Sequence, residues 1–202
     1  MSVGNSKAGG NLEVFLDLET TGFSPTFNEI IEIGAIKFRN GVCVEQFNRR
    51  VKPEKYVPLD IQELTGITNE MLKDCEDIKS VLPEFIDFCE DADVYGYNLS
   101  FDYNFLCAKA KALGMDFTMN SRRLGVDVLK VVKEQHKGFE NYKLGTVSRI
   151  FKLPFDATQA HTAYYDAYIT KLVYNRCVPV SPYLLDKSKY GKPDITATLD
   201  FT

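Results

Sequence analysis

The chain has 202 residues, of which 45% are hydrophobic and 26% charged, and its 24 basic and 28 acidic side chains leave a net charge of −4. That length and balance suit one soluble globular domain with a sizeable core. The acidic balance excludes a protein that coats long duplex by counter-ion release, although not an enzyme that holds a short strand end through metal ions. No uninterrupted apolar stretch is long enough to cross a bilayer, and no basic start followed by an apolar segment suggests secretion. The five cysteines, Cys43, Cys75, Cys89, Cys107 and Cys177, are scattered and form no Cys-x-x-Cys pair. Neither a zinc site nor a disulfide framework is indicated, so a reducing cytoplasm is the expected location.

Residues 1–10 are small, polar and glycine-rich and read as a flexible leader. Val14, Phe15 and Leu16 favour a strand that stops at the Thr20-Thr21-Gly22 turn. Ile30 to Phe38 is β-branched and alternating, and Val42 to Val51 follows the Asn40-Gly41 pair, so these two runs form an antiparallel hairpin. Pro58 to Gly66 reads as a short helix stopped by glycine. Thr68 caps another short turn with Met71 and Leu72 on its inner side. Ile78, Val81, Leu82, Phe85, Ile86 and Cys89 recur at helical spacing. Asp93 to Tyr97 is a short buried strand, and Ser100 caps a helix that runs to about Leu113 and ends at Gly114. Leu124 to Val128 is a fifth strand. Helical spacing resumes at Val131-Val132, again from Lys143 to Phe151, and finally from about Ala163 to Arg176, with Thr162 as the last helix's cap.

An antiparallel start followed by alternating helices and strands predicts an α/β fold. Its mixed five-stranded sheet carries helices on both faces. Three basic groups (Arg49, Arg50 and Lys52; Arg122 and Arg123; Lys130, Lys133 and Lys137) read as solvated faces. His136 reads as surface. Residues 11–177 form the expected domain. Residues 178–202, rich in Pro, Lys and Asp, read as a surface strap or a docking segment.

Five side chains carry the chemistry. Asp17 and Glu19 are one residue apart on a strand, so they share a face, roughly 6–7 Å apart along it. Two carboxylates so placed repel, more so when buried. A divalent cation with a taste for hard oxygen ligands offsets that repulsion. Asp102 lies in the first turn of its helix, where the dipole favours a carboxylate. His161 and Asp166 are five residues apart and face one site only if the helix begins between them, which leaves His161 on a loop.

Asp17-Leu18-Glu19-Thr20-Thr21-Gly22, Asn98-Leu99-Ser100-Phe101-Asp102 and His161-Thr162-Ala163-Tyr164-Tyr165-Asp166 resemble, in order and separation, the three motifs of the DEDDh (DnaQ-like) exonucleases. That family includes the DNA polymerase III ε subunit, the PolC exonuclease domain and RNase T. The resemblance runs from about Leu12 to Arg176. Thr65-Gly66-Ile67-Thr68 and Asp127 also resemble features of many members.

The resemblance implies a ribonuclease H-like fold and hydrolysis of single-stranded DNA from its 3′ end, releasing 5′-mononucleotides with two Mg2+ or Mn2+ ions. It implies Asp17, Glu19, Asp102 and Asp166 as metal ligands and His161 as general base. Thr20, Thr21 and Gly22 would meet the terminal nucleotide through backbone groups, Leu18 and Ile67 would pack on its base or sugar, and Asn98 would orient Asp102 or touch a phosphate. RNA 3′ ends, as for RNase T or oligoribonuclease, are an alternative substrate, because the motifs act on the phosphate and not on the 2′-hydroxyl. An inactive nucleic-acid-binding module is a further alternative. A DNA polymerase subunit or a second copy of the chain are the protein partners the family suggests, with no membrane involved.

Overall fold

In the computed structural model, residues 12–90, 92–115 and 125–177 are described below. The sheet is built on β1 (Leu12–Thr20), with the long hairpin β2 (Ile30–Arg39) and β3 (Val42–Arg50) on one side. On its other side lie β4 (Asp93–Gly96) and β5 (Gly125–Asp127), giving five strands in the order β3-β2-β1-β4-β5. β1–β2 and β2–β3 pair antiparallel, while β1–β4 and β4–β5 pair parallel. The hairpin turn puts Asn40 at φ 52° and Gly41 at φ 80°, the left-handed pair that a two-residue connection between twisted strands requires.

The helices are α1 (Leu59–Thr65), α2 (Asn69–Leu72), α3 (Ile78–Phe88), α4 (Leu99–Ala112), α5 (Val128–Gln135), α6 (Leu144–Ile150) and α7 (Ala163–Cys177). Alternation of side chains along β1 splits the core in two. Val14, Leu16 and Leu18 face α3 and α4, with Leu82, Phe85, Phe105 and Leu106. Phe15 faces α5, α6 and α7, with Val132, Val147, Ile169 and Val173. The mixed sheet with helices on both faces is therefore as expected. None of the helices described is long and apolar enough to cross a membrane.

Several local expectations change. Asn98, not Ser100, occupies the cap position of α4, in the left-handed region at φ 67°, and Ser100 is the second helical residue. Asparagine tolerates that conformation better than serine does. Thr162 does not cap α7 with its hydroxyl, which donates backward to the Gln159 carbonyl at 2.8 Å. Met71 is 38% exposed rather than inward, because its sulfur accepts from the Thr68 N–H while Leu72 alone fills the core. Val128 begins α5 instead of extending β5, since Asp127 caps the helix there. His136 is half-buried, its ring edge-on to Phe151 at 4.9 Å. Arg50 is not merely solvated, because its Nε lies 3.7 Å from the buried Glu32 carboxylate. Leu124, Arg122, Arg123 and the expected leader and tail lie outside the described residues.

One close approach fixes how α7 meets the sheet. Gly34, in the middle of β2, sits directly beneath the start of α7. A Cβ at that position would lie 2.1 Å from the Tyr164 nitrogen and 2.2 Å from the Ala163 carbonyl carbon. Both are backbone atoms, so a methyl group there pushes the whole helix away. Gly34→Ala should cost about 3 kcal/mol, the upper end for overpacking a tight contact. Urea unfolding of the variant against the parent chain measures it.

Candidate active site

The side chains of Phe15, Asp17 and Glu19 share the face of β1 that α7 covers. Beyond the end of β4, β1 continues with its outer backbone edge unpaired by a strand. The first turn of α4 fills that gap, and Asp102 Oδ1 accepts the Leu18 N–H at 3.0 Å, between the two acids of β1. Asp102 is 2% exposed. On the opposite side, α7 begins over Gly34, the register partner of Asp17. Asp166, one turn into α7, thereby reaches Glu19 and His161, and ligand-type atoms of Glu19, His161 and Asp166 all lie within 4.8 Å of one another. His161 stands exposed just before the helix at φ 65°, and its N–H donates to Asp166 Oδ2 at 3.3 Å. The structure thus brings the four predicted acids and the predicted histidine together from β1, α4 and the start of α7.

The loop after β1 borders them. A register shift between Glu19 and Thr20 ends the regular pairing. Thr20 Oγ1 donates to the Gly22 carbonyl at 2.6 Å, and Thr21 Oγ1 accepts the Glu29 N–H at 2.9 Å. Both hydroxyls are committed to holding the loop's shape, and Gly22 packs on Asn28. The Asn98 N–H donates to Asp127 Oδ1 at 3.2 Å. Leu18 and Ile67 are 5% and 2% exposed and belong to the hydrophobic core, so neither side chain presents surface to a ligand in this structure.

Sequence reading passed over Glu32. It faces Glu19 across the β1–β2 ladder and is 4% exposed. Its Oε2 accepts the Ala163 N–H, the first amide of α7, at 2.8 Å. The charge stood out in an otherwise β-branched run. Its partner, 131 residues away, did not.

So many carboxylates in so little space hold protons that free ones would release. Burial, then repulsion from Asp102, Glu19, Asp166 and Glu32, pushes Asp17 well above the ordinary carboxylate range. Burial, followed by Asp166, raises Glu19 to about 9. Burial raises Asp102 to about 8 against the hydrogen bond from Leu18. Burial raises Asp166 to about 6 against the favourable His161 contact. Among the described residues, no lysine or arginine forms an ion pair with any of the four. Asp166 Oδ1 is buried and has no hydrogen-bond partner. An all-oxygen set lacking its counter-charge, with one orphaned carboxylate oxygen, fits hard divalent cations of the Mg2+ or Mn2+ kind.

A family model described as Exonuclease, of the RNase T group, matches residues 14–174. The chain belongs to the exonuclease family. It carries the three motifs of the DEDDh, DnaQ-like group of exonucleases on the ribonuclease H-like fold. Over 190 residues it is 35% identical to the PolC-type DNA polymerase III of Thermotoga maritima, covering 94% of this chain and 13% of that one. It is 34% identical to the Bacillus subtilis PolC-type polymerase over 158 residues, or 78% of this chain and 11% of that one. The exonuclease chain thus spans about an eighth of the length of these curated relatives. Among solved structures, exonuclease I superposes with TM-score 0.71 at 18% identity, over 79% of this chain and 39% of that chain. E. coli exonuclease I in complex with a dT13 oligonucleotide superposes with TM-score 0.70 at 18% identity, over 82% and 41%.

The raised carboxyls make metal-free stability depend on pH. Folding lifts them above the unfolded range near 4, so between the two values the folded state holds protons that the unfolded state has lost. The stability they contribute is complete below about pH 4 and is lost as pH rises through 6, 8 and 9, by roughly 1.4 kcal/mol per pH unit for each retained proton. In chelator, the melting temperature should therefore be higher at pH 5.5 than at pH 8.5. Excess Mn2+ should raise it most at the higher pH.

Proposed function

We propose that the domain removes nucleotides one at a time from the 3′ end of single-stranded DNA, releasing 5′-mononucleotides with two Mg2+ or Mn2+ ions. The observation that carries this reading is the convergence of Asp17, Glu19, Asp102 and Asp166, contributed by three elements, with an exposed histidine beside them. In this reading Asp17 would serve both ions, Glu19 and Asp166 would hold the one that activates the water, and Asp102 would hold the other. When bound, two such ions supply an activated water and charge stabilisation for the leaving oxygen.

The remaining work falls to the protein. His161, exposed on its loop, accepts the proton that the water gives up, the role for which imidazole suits near-neutral pH. Asp166, which accepts the His161 backbone N–H, holds that residue beside the acids. The loop 20–22, braced by its own hydroxyls, offers backbone groups to the terminal nucleotide, and Asn98 borders the same end. The DNA substrate is supported by the PolC-type polymerases among the relatives and by the oligonucleotide seen on exonuclease I. A replicative polymerase is the protein partner that the same relatives suggest.

Matched 5′-labelled single-stranded DNA and RNA oligomers, incubated with Mg2+, Mn2+ or chelator, test the reading. A metal-dependent DNA ladder shortening from the 3′ end, faster than the RNA ladder, is expected. A faster RNA ladder would reassign the substrate, and no cleavage by folded protein would sink the reaction. Asp17→Ala should bring cleavage below detection without loss of thermal stability, since it removes a buried repulsive charge as well as a ligand. His161→Ala should slow turnover about 100- to 10,000-fold, the usual worth of a general base.

A further inference from the structure

We propose that Glu32 is a positioning residue of this site, whose buried carboxylate holds the first amide of α7 against β2 and so fixes where Asp166 and His161 stand. The inference rests on the reading of the acids given under Proposed function. It adds a group from outside the motifs that carry that reading.

The argument starts from cost. Glu32 lies directly opposite Glu19, and like charges paired across strands destabilise a sheet. A carboxylate only 4% exposed also loses most of its hydration. A strand residue with no task at this position would be apolar, as Ile31 and Ile33 on either side are.

Each oxygen of Glu32 has a partner outside the acid cluster. Oε2 accepts from Ala163 N–H at 2.8 Å, and Oε1 faces Arg50 Nε at 3.7 Å. The geometry is that of a tether, not of a further metal ligand.

The tether acts where precision is needed. A charged acceptor on a helix's first amide makes a strong hydrogen bond and also meets the positive end of the helix dipole. Thr162 leaves that amide to it, because the threonine hydroxyl is spent on Gln159. Gly34, two residues along β2 and on the same face, lets the helix backbone come down onto the strand. Glycine supplies the space and glutamate the lateral fix. Asp166 is three residues beyond Ala163 and His161 two before it, so a shift of that amide moves both.

Three substitutions test the proposal, each read by the Mn2+ dissociation constant from electron paramagnetic resonance and by kcat and KM on a 5′-labelled single-stranded oligomer. Glu32→Ala removes the acceptor. It should weaken Mn2+ binding about 10-fold and lower kcat about 10- to 100-fold, the range for a group that orients a metal ligand, with KM nearly unchanged. Glu32→Gln keeps an oxygen for the Ala163 N–H and should restore both values to within about threefold of the parent. Glu32→Met fills the volume without a comparable acceptor and should behave as Glu32→Ala does, which covers the case in which the alanine variant fails to fold.

If the alanine and methionine variants bind Mn2+ and turn over as the parent does, the proposal is overturned. If the glutamine variant falls as far as alanine, an oxygen offered to the Ala163 N–H is not enough to place the helix, and the proposal is again overturned. Should the parent bind Mn2+ but cleave nothing, the reaction under Proposed function fails, while the Mn2+ comparison still decides the role of Glu32.

Discussion

Mutual repulsion among buried carboxylates is the constraint on which the rest of this structure depends. Asp17, Glu19, Asp102 and Asp166 would separate if the backbone let them. They stay together because they are fixed to three rigid elements, and those elements are locked by the two halves of the core. β1 is the central strand and carries two of the acids. α4 packs on one face of the sheet and α7 on the other. The acids therefore meet at the one end of β1 where both helices begin. Helix starts are favourable places for negative charge, so part of the repulsion is absorbed by backbone amides. The remainder is what gives the site its appetite for cations.

The starts of the two helices share a second trait. Asn98 precedes α4 and His161 precedes α7, and both adopt left-handed backbone, which non-glycine residues enter at some cost. Such strain persists where surrounding contacts over-determine it, and it clusters at functional sites. Here the contacts can be named. Asp127, which caps α5, also holds the Asn98 N–H. Asp166 holds the His161 N–H. Asp127 is thus used twice, once in capping α5 and once in holding the residue before α4.

Much of this could be read from the residues. The Asn40-Gly41 turn, the alternation of β1 and the helical spacing of α3 are local patterns, and the fold follows from them. The four acids and His161 were legible because they sit in short ordered motifs. What escaped was non-local. Ser100 looked like a cap because serine often is one, and only the backbone conformation at Asn98 shows otherwise. Nothing local explains Gly34 in the middle of a strand, where it admits a helix some 130 residues later. Glu32 drew no assignment from its place in a β-branched run. No spacing rule links residue 32 to residue 163, because sheet topology alone makes them neighbours. The resemblance pointed to Leu18 and Ile67 as ligand contacts, and the structure shows both side chains packed in the core.

The seating of α7 on β2 also bears on when the site comes into being. β1, β2 and β3 are made first and pair locally, whereas the helix that completes the acid cluster is synthesised last among the described elements. Contacts of such long sequence separation form late, because a large loop must close before they repay the ordering. A chain still emerging from the ribosome therefore holds Asp17 and Glu19 on a formed hairpin but lacks Asp166, His161 and the α7 amide that Glu32 grips. The acid cluster is therefore completed only when the last of the described elements has been made and packed onto β2.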